Sequence, residues 1–405
     1  RLRFNKWFKT SLRNMGKRPK IRSREMVDQK IDFDIIFKFQ ERVWDRIRKI
    51  SESNKIGNAY LFSGPPGCGK EGIAIKFAQI LNCELSNTDI CGSCPSCLRS
   101  SNLQHENIKI VFPMPTPKKG TDNVVSDIDK KSLDLVTQHI HKKSINPFHK
   151  IRIPMANRIL IQSIRELRKS LYLKGQSLGK KVVLVFDAHL LSSGQSEAAN
   201  AFLKLLEEPP PNTTIVLVSD HIELLLPTII SRCQRIGFPC LADSDIESWL
   251  QSKMVRKEDI PFLVGLSRGN LHSAQFFISK SSSDLAGLIK SLVGTITKNE
   301  PEKWRKFIQD YSKLARQGKE EFAYHFMLIR VWCQSTNRLK NNINDSLHDT
   351  SLVDGMKKFI SIYPSADFLS IVSDLEDTVR AISMNLYMPL VLTNLLLQTQ
   401  KNLKK

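Results

Sequence analysis

Lys70 closes the run Gly64-Pro65-Pro66-Gly67-Cys68-Gly69, whose glycines allow backbone N–H groups to converge on an anion. With the lysine as a point charge and a helix opening behind it, this is the pattern that cradles nucleotide phosphates. The next position departs from the pattern. A small hydroxyl is needed there to hold Mg²⁺, and the chain carries Glu71, which is longer and negative. Downstream, Asp187 ends the apolar run Val182 to Phe186, the place where a carboxylate holds the same ion. It is followed by Ala188, where a nucleotide hydrolase needs a glutamate to activate the attacking water. Losing a general base costs about 10²- to 10⁴-fold in rate. ATP binding at this loop stays open on these residues, while hydrolysis is not expected.

A second constellation is Cys83-x7-Cys91-x2-Cys94-x2-Cys97, with Gly92 and Pro95 turning the backbone between ligands. Four thiolates at this spacing can close a tetrahedron around zinc. With every position filled by protein, such a site is structural rather than catalytic. Four of the eight cysteines cluster here and the others scatter, which favours a metal over disulfides where no secretion signal is evident.

These residues need a frame. The apolar run Ala59 to Phe62 predicts a strand feeding the glycine loop, and Ile73 to Leu81 a helix leaving it. A helix over Asp34 to Glu52 carries Phe37, Val43, Ile47 and Ile50 on one face. Phe112 to Lys150 reads as an insertion broken by Pro113, Pro115, Pro117 and Gly120, with one helix over Val124 to Lys143. Arg158 to Tyr172 reads as helix, with Arg158, Arg165, Arg168 and Lys169 on its solvated side. Ser196 to Leu206 is a further helix, and Ile215 to Val218 a buried strand. Pro227, suited to a first helical turn, opens a short helix that delivers Ser231-Arg232-Cys233. Ala242 to Ser279 reads as a small helical unit with a turn at Gly265 to Asn270. Helices then follow at Trp304 to Leu314, Glu321 to Leu339, Leu352 to Ile362 and Phe368 to Leu397.

The 405 residues are enough for two or three domains. Hydrophobic content of 41% and charged content of 25% fit a globular protein, and the net charge of +21 suggests a polyanionic partner, nucleic acid first. No apolar run is long enough to span a bilayer, so no membrane role is expected. Residues 1–25 are rich in Arg and Lys and are expected to form a disordered basic tail, with Met15 and Met26 as alternative starts.

Taken together, Gly64 to Lys70, the four cysteines, Asp187, the run Ala198 to Pro210 and Ser231-Arg232-Cys233 resemble the bacterial replicative clamp loader. Its AAA+ subunits open the ring-shaped sliding clamp and place it on primed DNA. The resemblance covers about residues 30 to 240 in order and implies an α/β fold: an AAA+ P-loop domain with a parallel sheet and helices on both faces. Its implied layout is the basic tail over 1–25 and the P-loop domain over 26–240. Within the latter lie a zinc knuckle at 83–97 and the insertion at 112–150. A helical lid over 241–299 and an all-α collar over 300–405 complete it.

Two kinds of subunit belong to that family: the gamma/tau motor, which hydrolyses ATP, and the delta-prime kind, which ordinarily does not. Glu71 and Ala188 depart from the motor, as does His272 in Gly269-Asn270-Leu271-His272, where the motor's lid offers an arginine to the γ-phosphate. The resemblance therefore implies a stator-like subunit without intrinsic ATPase, part of the DNA polymerase III holoenzyme in the cytoplasm. Its partners would be gamma/tau and delta subunits, the sliding clamp, and primed DNA through the assembled complex. Arg232 would act in trans, as an arginine finger in a neighbour's ATP site. Two alternatives stay open at this stage. One is a catalytic gamma/tau-type subunit; the other, of a different class, is a zinc-containing DNA-binding module.

Overall fold

The computed structural model describes residues 35–403, apart from 54, 117–129, 174–178, 195, 346, 348 and 385. The basic tail expected over 1–25 lies outside them. Five strands, β1 (Ala59–Ser63), β2 (Ile108–Val111), β3 (Lys181–Val185), β4 (Thr213–Ser219) and β5 (Gln234–Gly237), form one parallel sheet in the order β2-β3-β4-β1-β5.

Parallel pairing needs crossovers, and the crossovers cover both faces. Successive side chains in a strand point to opposite faces, so each strand serves two cores. Tyr60, Phe62, Leu184, Phe186, Val216 and Val218 point to one face, where Trp44 and Ile47 of the helix Glu41–Glu52 and Ile73 and Phe77 of Lys70–Ile80 pack on them. Leu61, Val183, Val185, Ile215 and Leu217 point to the other, against Ile164 and Leu167 of Ile161–Leu171 and Phe202 and Leu205 of Glu197–Glu207. The result is the α/β P-loop architecture expected above. β2 and β5, the two edge strands, were not singled out from sequence. Each has four residues, and β5 buries only Ile236, so neither carries the continuous apolar signal of a central strand.

Beyond β5 the chain is helical. Asp243–Ser252, Ile260–Ser267 and Leu271–Phe277 bury Trp249, Leu250, Leu263 and Phe277, and Ser282–Thr297 follows. Residues Gly265 to Ser267 continue a helix instead of turning. The turn comes at Arg268 and Gly269, both with positive φ. The C-terminal helices are Pro301–Gln317, Lys319–Lys340, Thr350–Ile362, Phe368–Ser383 and Met388–Leu403. The single helix expected over Phe368 to Leu397 is thus two. Pro389 lacks an N–H for a helix interior but suits the first turn of a new one. The helix expected over Asp34 to Glu52 is likewise interrupted, at Gln40, whose side chain instead donates to Cys68 O and Pro239 O. In the insertion, the described part holds the helix Lys130–Ile145. Among the described residues no helix is long and apolar enough to cross a membrane.

Candidate functional site

The glycine loop sits at the C-terminal end of β1, where a parallel sheet leaves a crevice between strand tip and helix N-terminus. Gly69 takes a left-handed φ of 93° to turn the chain into the helix, which begins at Lys70, three residues before the Ile73 expected from periodicity. Gly67 has a φ of 72°, and a Cβ there would lie 1.9 Å from Asn270 Oδ1, so only glycine lets the helical unit approach so closely. Leu271 N donates to Gly67 O at 3.2 Å across that contact. Cys68 is buried and its thiol is pushed up by that burial, which makes it a packed thiol rather than a reactive one. Gly64 and Pro65 are half-buried, and Pro66 faces solvent.

Lys70 is buried and turned back on its own loop. Its ammonium donates to Gly64 O at 2.9 Å and Pro65 O at 2.5 Å, and pairs with Asp220 Oδ1 at 2.7 Å. Glu71 is buried beside it and is held from two sides by the insertion. Lys143 Nζ lies 2.5 Å from one carboxylate oxygen, and Lys150 Nζ lies 2.9 Å from the other. Lys150 also pairs with Asp187 at 2.7 Å and with Asp220 at 3.3 Å. Lys143 is wholly buried and donates in addition to Pro147 O. Three ammonium groups and three carboxylates therefore close a cluster with no net charge, the condition under which buried charges persist.

The electrostatics follow from that packing. Burial alone would raise the Glu71 carboxyl, but Lys143 and Lys150 overcome it and bring it down to about 2. Asp220 is held well below the carboxylate range, burial being outweighed by Lys150 and Lys70. Burial also lowers the Lys143 ammonium, with Glu71 pulling the other way. Burial would lower Lys150 too, but Asp187, Asp220 and Glu71 carry it well above its ordinary value. His272 reaches the same cluster from the helix Leu271–Phe277. Burial, then Lys150, lower it to about 3, so at neutral pH it is an uncharged imidazole where an arginine would be a cation.

The phosphate-site residues assigned from sequence thus converge in space: Gly67, Gly69, Lys70, Glu71 and Asp187. They converge on side chains of the chain itself. Sequence reasoning missed Lys143, Lys150 and Asp220. Asp220 follows the apolar strand β4 as Asp187 follows β3, a repeat of one signal that could have found it. Nothing local marks the two lysines, because their position depends on where the insertion folds back. Ala188 is fully buried in the core under the sheet, so this position faces packing rather than the crevice.

Arg232 stands apart from this cluster. It follows the turn Pro227–Ile230, is more than one-third exposed, donates to Thr228 O at 2.9 Å and pairs with Glu207 at 2.8 Å. Cys233 beside it is half-buried, and burial pushes its thiol up to about 11.

Cys83, Cys91, Cys94 and Cys97 bring their sulfurs within 4.8 Å of one another, as the spacing predicts. A tetrahedral zinc with Zn–S bonds of about 2.3 Å spaces its sulfurs roughly 3.8 Å apart. Cys91 and Cys97 are 3.7 Å apart. Gly92 makes the turn with a φ of 70°, and Cys94 caps the helix Pro95–Ser101. Backbone N–H groups of Cys94 and Cys97 donate to the sulfurs of Cys91 and Cys94, at 3.3 Å each. Such donors favour thiolate, and the Cys94 N–H leads in lowering Cys91 to about 6, while burial pushes the Cys97 thiol up. The donor set fits a thiophilic ion such as zinc.

This geometry can be set beside known proteins. The family model described as DNA polymerase III, delta subunit, matches residues 39–242, just over half of the chain. Among curated relatives, the delta' subunit of DNA polymerase III from Bacillus subtilis is 28% identical over 211 residues, covering 52% of this chain and 51% of that protein. The tau subunit of the same organism is 25% identical over 258 residues, covering 62% of this chain and 38% of that protein. The gamma subunit from Buchnera aphidicola is 24% identical over 324 residues, covering 72% and 77%. The chain thus spans about half of the delta' relative and less of tau. On the strength of the match that runs from before the glycine loop to just past β5, this chain belongs to the DNA polymerase III delta-subunit family.

Proposed function

We propose that the chain is a non-hydrolysing, delta-prime-type subunit of a replicative clamp loader, which supplies Arg232 in trans to the ATP site of a gamma/tau-type neighbour. The observation that carries this reading is the state of the site's own charges. Lys70, the phosphate lysine, is spent on Asp220 and two loop carbonyls, and Asp187, the magnesium carboxylate, is spent on Lys150. Arg232 is exposed and tethered by one surface ion pair, an interaction worth about 0–1 kcal/mol that a partner can displace.

In this reading the P-loop domain over 26–240, the lid over 241–299 and the collar over 300–405 are the units that pack into a ring. The ring contains gamma/tau and delta subunits in the cytoplasm and meets the sliding clamp and primed DNA only when assembled. ATP has no hydrolytic role in the chain itself. The similarity to tau and gamma relatives keeps one other reading, a catalytic motor subunit. A free-standing DNA-binding zinc module is less well supported, since Arg99, the base nearest the cysteines, lies 3.4 Å from Glu106.

The experiment is purification of the tagged full chain. Motor and clamp-opening subunits should come with it, and the chain alone should show negligible Mg-ATP turnover. Brisk hydrolysis by the isolated chain would move it to the motor class. Tight, steeply salt-dependent binding of primed DNA by the chain alone would move it to the DNA-binding class.

The four-cysteine site is assigned to structural zinc. Elemental analysis of the full chain should find one zinc per chain, and Cys94→Ser should lose it together with part of the thermal stability. A chain purified without metal, and unmoved by chelator in a melting experiment, would remove zinc from the account.

A further inference from the structure

We propose that residues 143–150, together with Asp220, act as a built-in replacement for a magnesium-bound nucleotide, with the Lys143 and Lys150 ammonium groups standing in for the cation and the Asp220 carboxylate occupying Lys70 in place of a phosphate. Pro147 and Phe148 of the same segment fill the cradle. This inference extends the non-hydrolysing reading but involves no partner, so it is tested on the chain alone.

Three observations carry it. The first is space. The cavity bounded by Gly67, Lys70, Glu71, Lys150, Asp220 and His272 measures about 10 Å³. That is room for roughly one water, whereas ligand pockets run to about 300–1,000 Å³. Of the residues that line it, Lys143, Pro147, Phe148 and Lys150 come from the insertion. Pro147 presses on the helix after the loop so closely that a Cβ at Gly72 would sit 2.8 Å from Pro147 Cβ, and Phe148 Cε1 would lie 3.5 Å from a Cβ at Gly69.

The second is charge. Every carboxylate that a Mg²⁺ ion could have used is already matched by a lysine: Glu71 by Lys143 and Lys150, and Asp187 and Asp220 by Lys150. A phosphate entering the loop would have to displace the Asp220 carboxylate from Lys70. It would then lie beside the Glu71 and Asp220 carboxylates, and like charges at such distances repel strongly out of water.

The third is linkage between units. The cluster reaches the helical unit through His272, through the Leu271 N–H on Gly67 O, and through Gln275 Nε2, which lies 3.5 Å from Asn146 Oδ1 beside the plug. In a nucleotide-driven subunit the ligand joins loop and lid. Here loop and helical unit touch directly through Leu271 and Gly67, and the insertion adds the Asn146–Gln275 contact, so the junction is made by the chain's own residues.

Two measurements on the full chain test this. Isothermal titration with Mg-ATP should detect no binding to the wild type and none to Glu71→Thr, which restores the hydroxyl but leaves the plug. The triple variant Glu71→Thr/Lys143→Ala/Lys150→Ala should bind with a measurable Kd, at least about a hundredfold tighter than the weakest binding the same titration detects. Glu71→Thr binding as tightly as the triple variant would overturn the proposal. So would a triple variant that is folded by circular dichroism and binds no better than wild type.

Should the triple variant not fold, hydrogen–deuterium exchange on the wild type decides. Protection over 64–72, 143–150 and 268–273 should be high in buffer and unchanged by millimolar Mg-ATP. A nucleotide-dependent rise in protection in those segments would overturn the proposal. ATP hydrolysis by the wild-type chain would instead strike at the non-hydrolysing reading itself.

Discussion

In an assembled loader, Arg232→Ala should lower hydrolysis at the site it faces by on the order of 10³-fold or more, the range seen when an arginine finger is removed from a nucleotide hydrolase. The physical basis is charge development on the transferring phosphoryl group, which a guanidinium supplied from outside the site stabilises without changing substrate binding. The same substitution should leave the isolated chain almost untouched. Arg232 is exposed and its pairing with Glu207 is a surface contact, so the unfolding free energy should fall by no more than about 1 kcal/mol. The two readouts separate the roles. A large loss of loader turnover with an unchanged melting curve is the signature of a finger. An unchanged turnover would reduce Arg232 to a partner of Glu207.

The second large effect lies in the buried cluster. Lys143→Ala should destabilise the chain by about 3–5 kcal/mol, because it leaves the Glu71 carboxylate underneutralised and out of water. That is a large part of the roughly 5–15 kcal/mol by which a domain is stable. Removing both partners is predicted to be different. Glu71→Leu/Lys143→Met takes away the pair while keeping volume, and Lys150 retains Asp187 and Asp220. Its stability in urea unfolding should lie within about 1 kcal/mol of wild type, or above it. If Lys143→Ala alone costs under about 1 kcal/mol, the cluster is solvated rather than buried.

The pH dependence has a definite sign. Glu71 has a folded-state value near 2 against an ordinary 4.5, and Asp220 is shifted the same way. Groups depressed by folding contribute stability above their unfolded value and lose it as pH falls through the folded one. Stability should therefore decline from about pH 5 towards pH 2, and Glu71→Leu/Lys143→Met should flatten that decline. Lys150 is shifted upward, so its contribution is complete below its ordinary value of 10.5 and fades only in strongly alkaline solution.

What the sequence determined by itself was whatever depends on neighbours in the chain. The apolar runs around Ala59 to Phe62, Val182 to Phe186 and Ile215 to Val218 marked the three central strands, because a strand buried on both faces has no polar alternation to dilute the signal. The glycine loop and the four cysteines were legible for a related reason: turn geometry and ligand reach are set over a few residues. Glu71 and Ala188 were legible in the same way, as departures from the residue types a nucleotide hydrolase carries at those positions. The break between the helices Phe368–Ser383 and Met388–Leu403 is only weakly marked in sequence, by Pro389, since apolar periodicity continues on either side of it.

Only the tertiary structure decided which charges meet at that loop. Lys143 lies 72 residues from Glu71, and Lys150 lies 70 from Asp220. In sequence they belong to a polar insertion indistinguishable from a solvated loop. Whether a lysine is a surface charge or the counter-ion of a buried carboxylate depends on how much water the fold removes from around it. That is a property of packing between distant segments, and no local pattern encodes it.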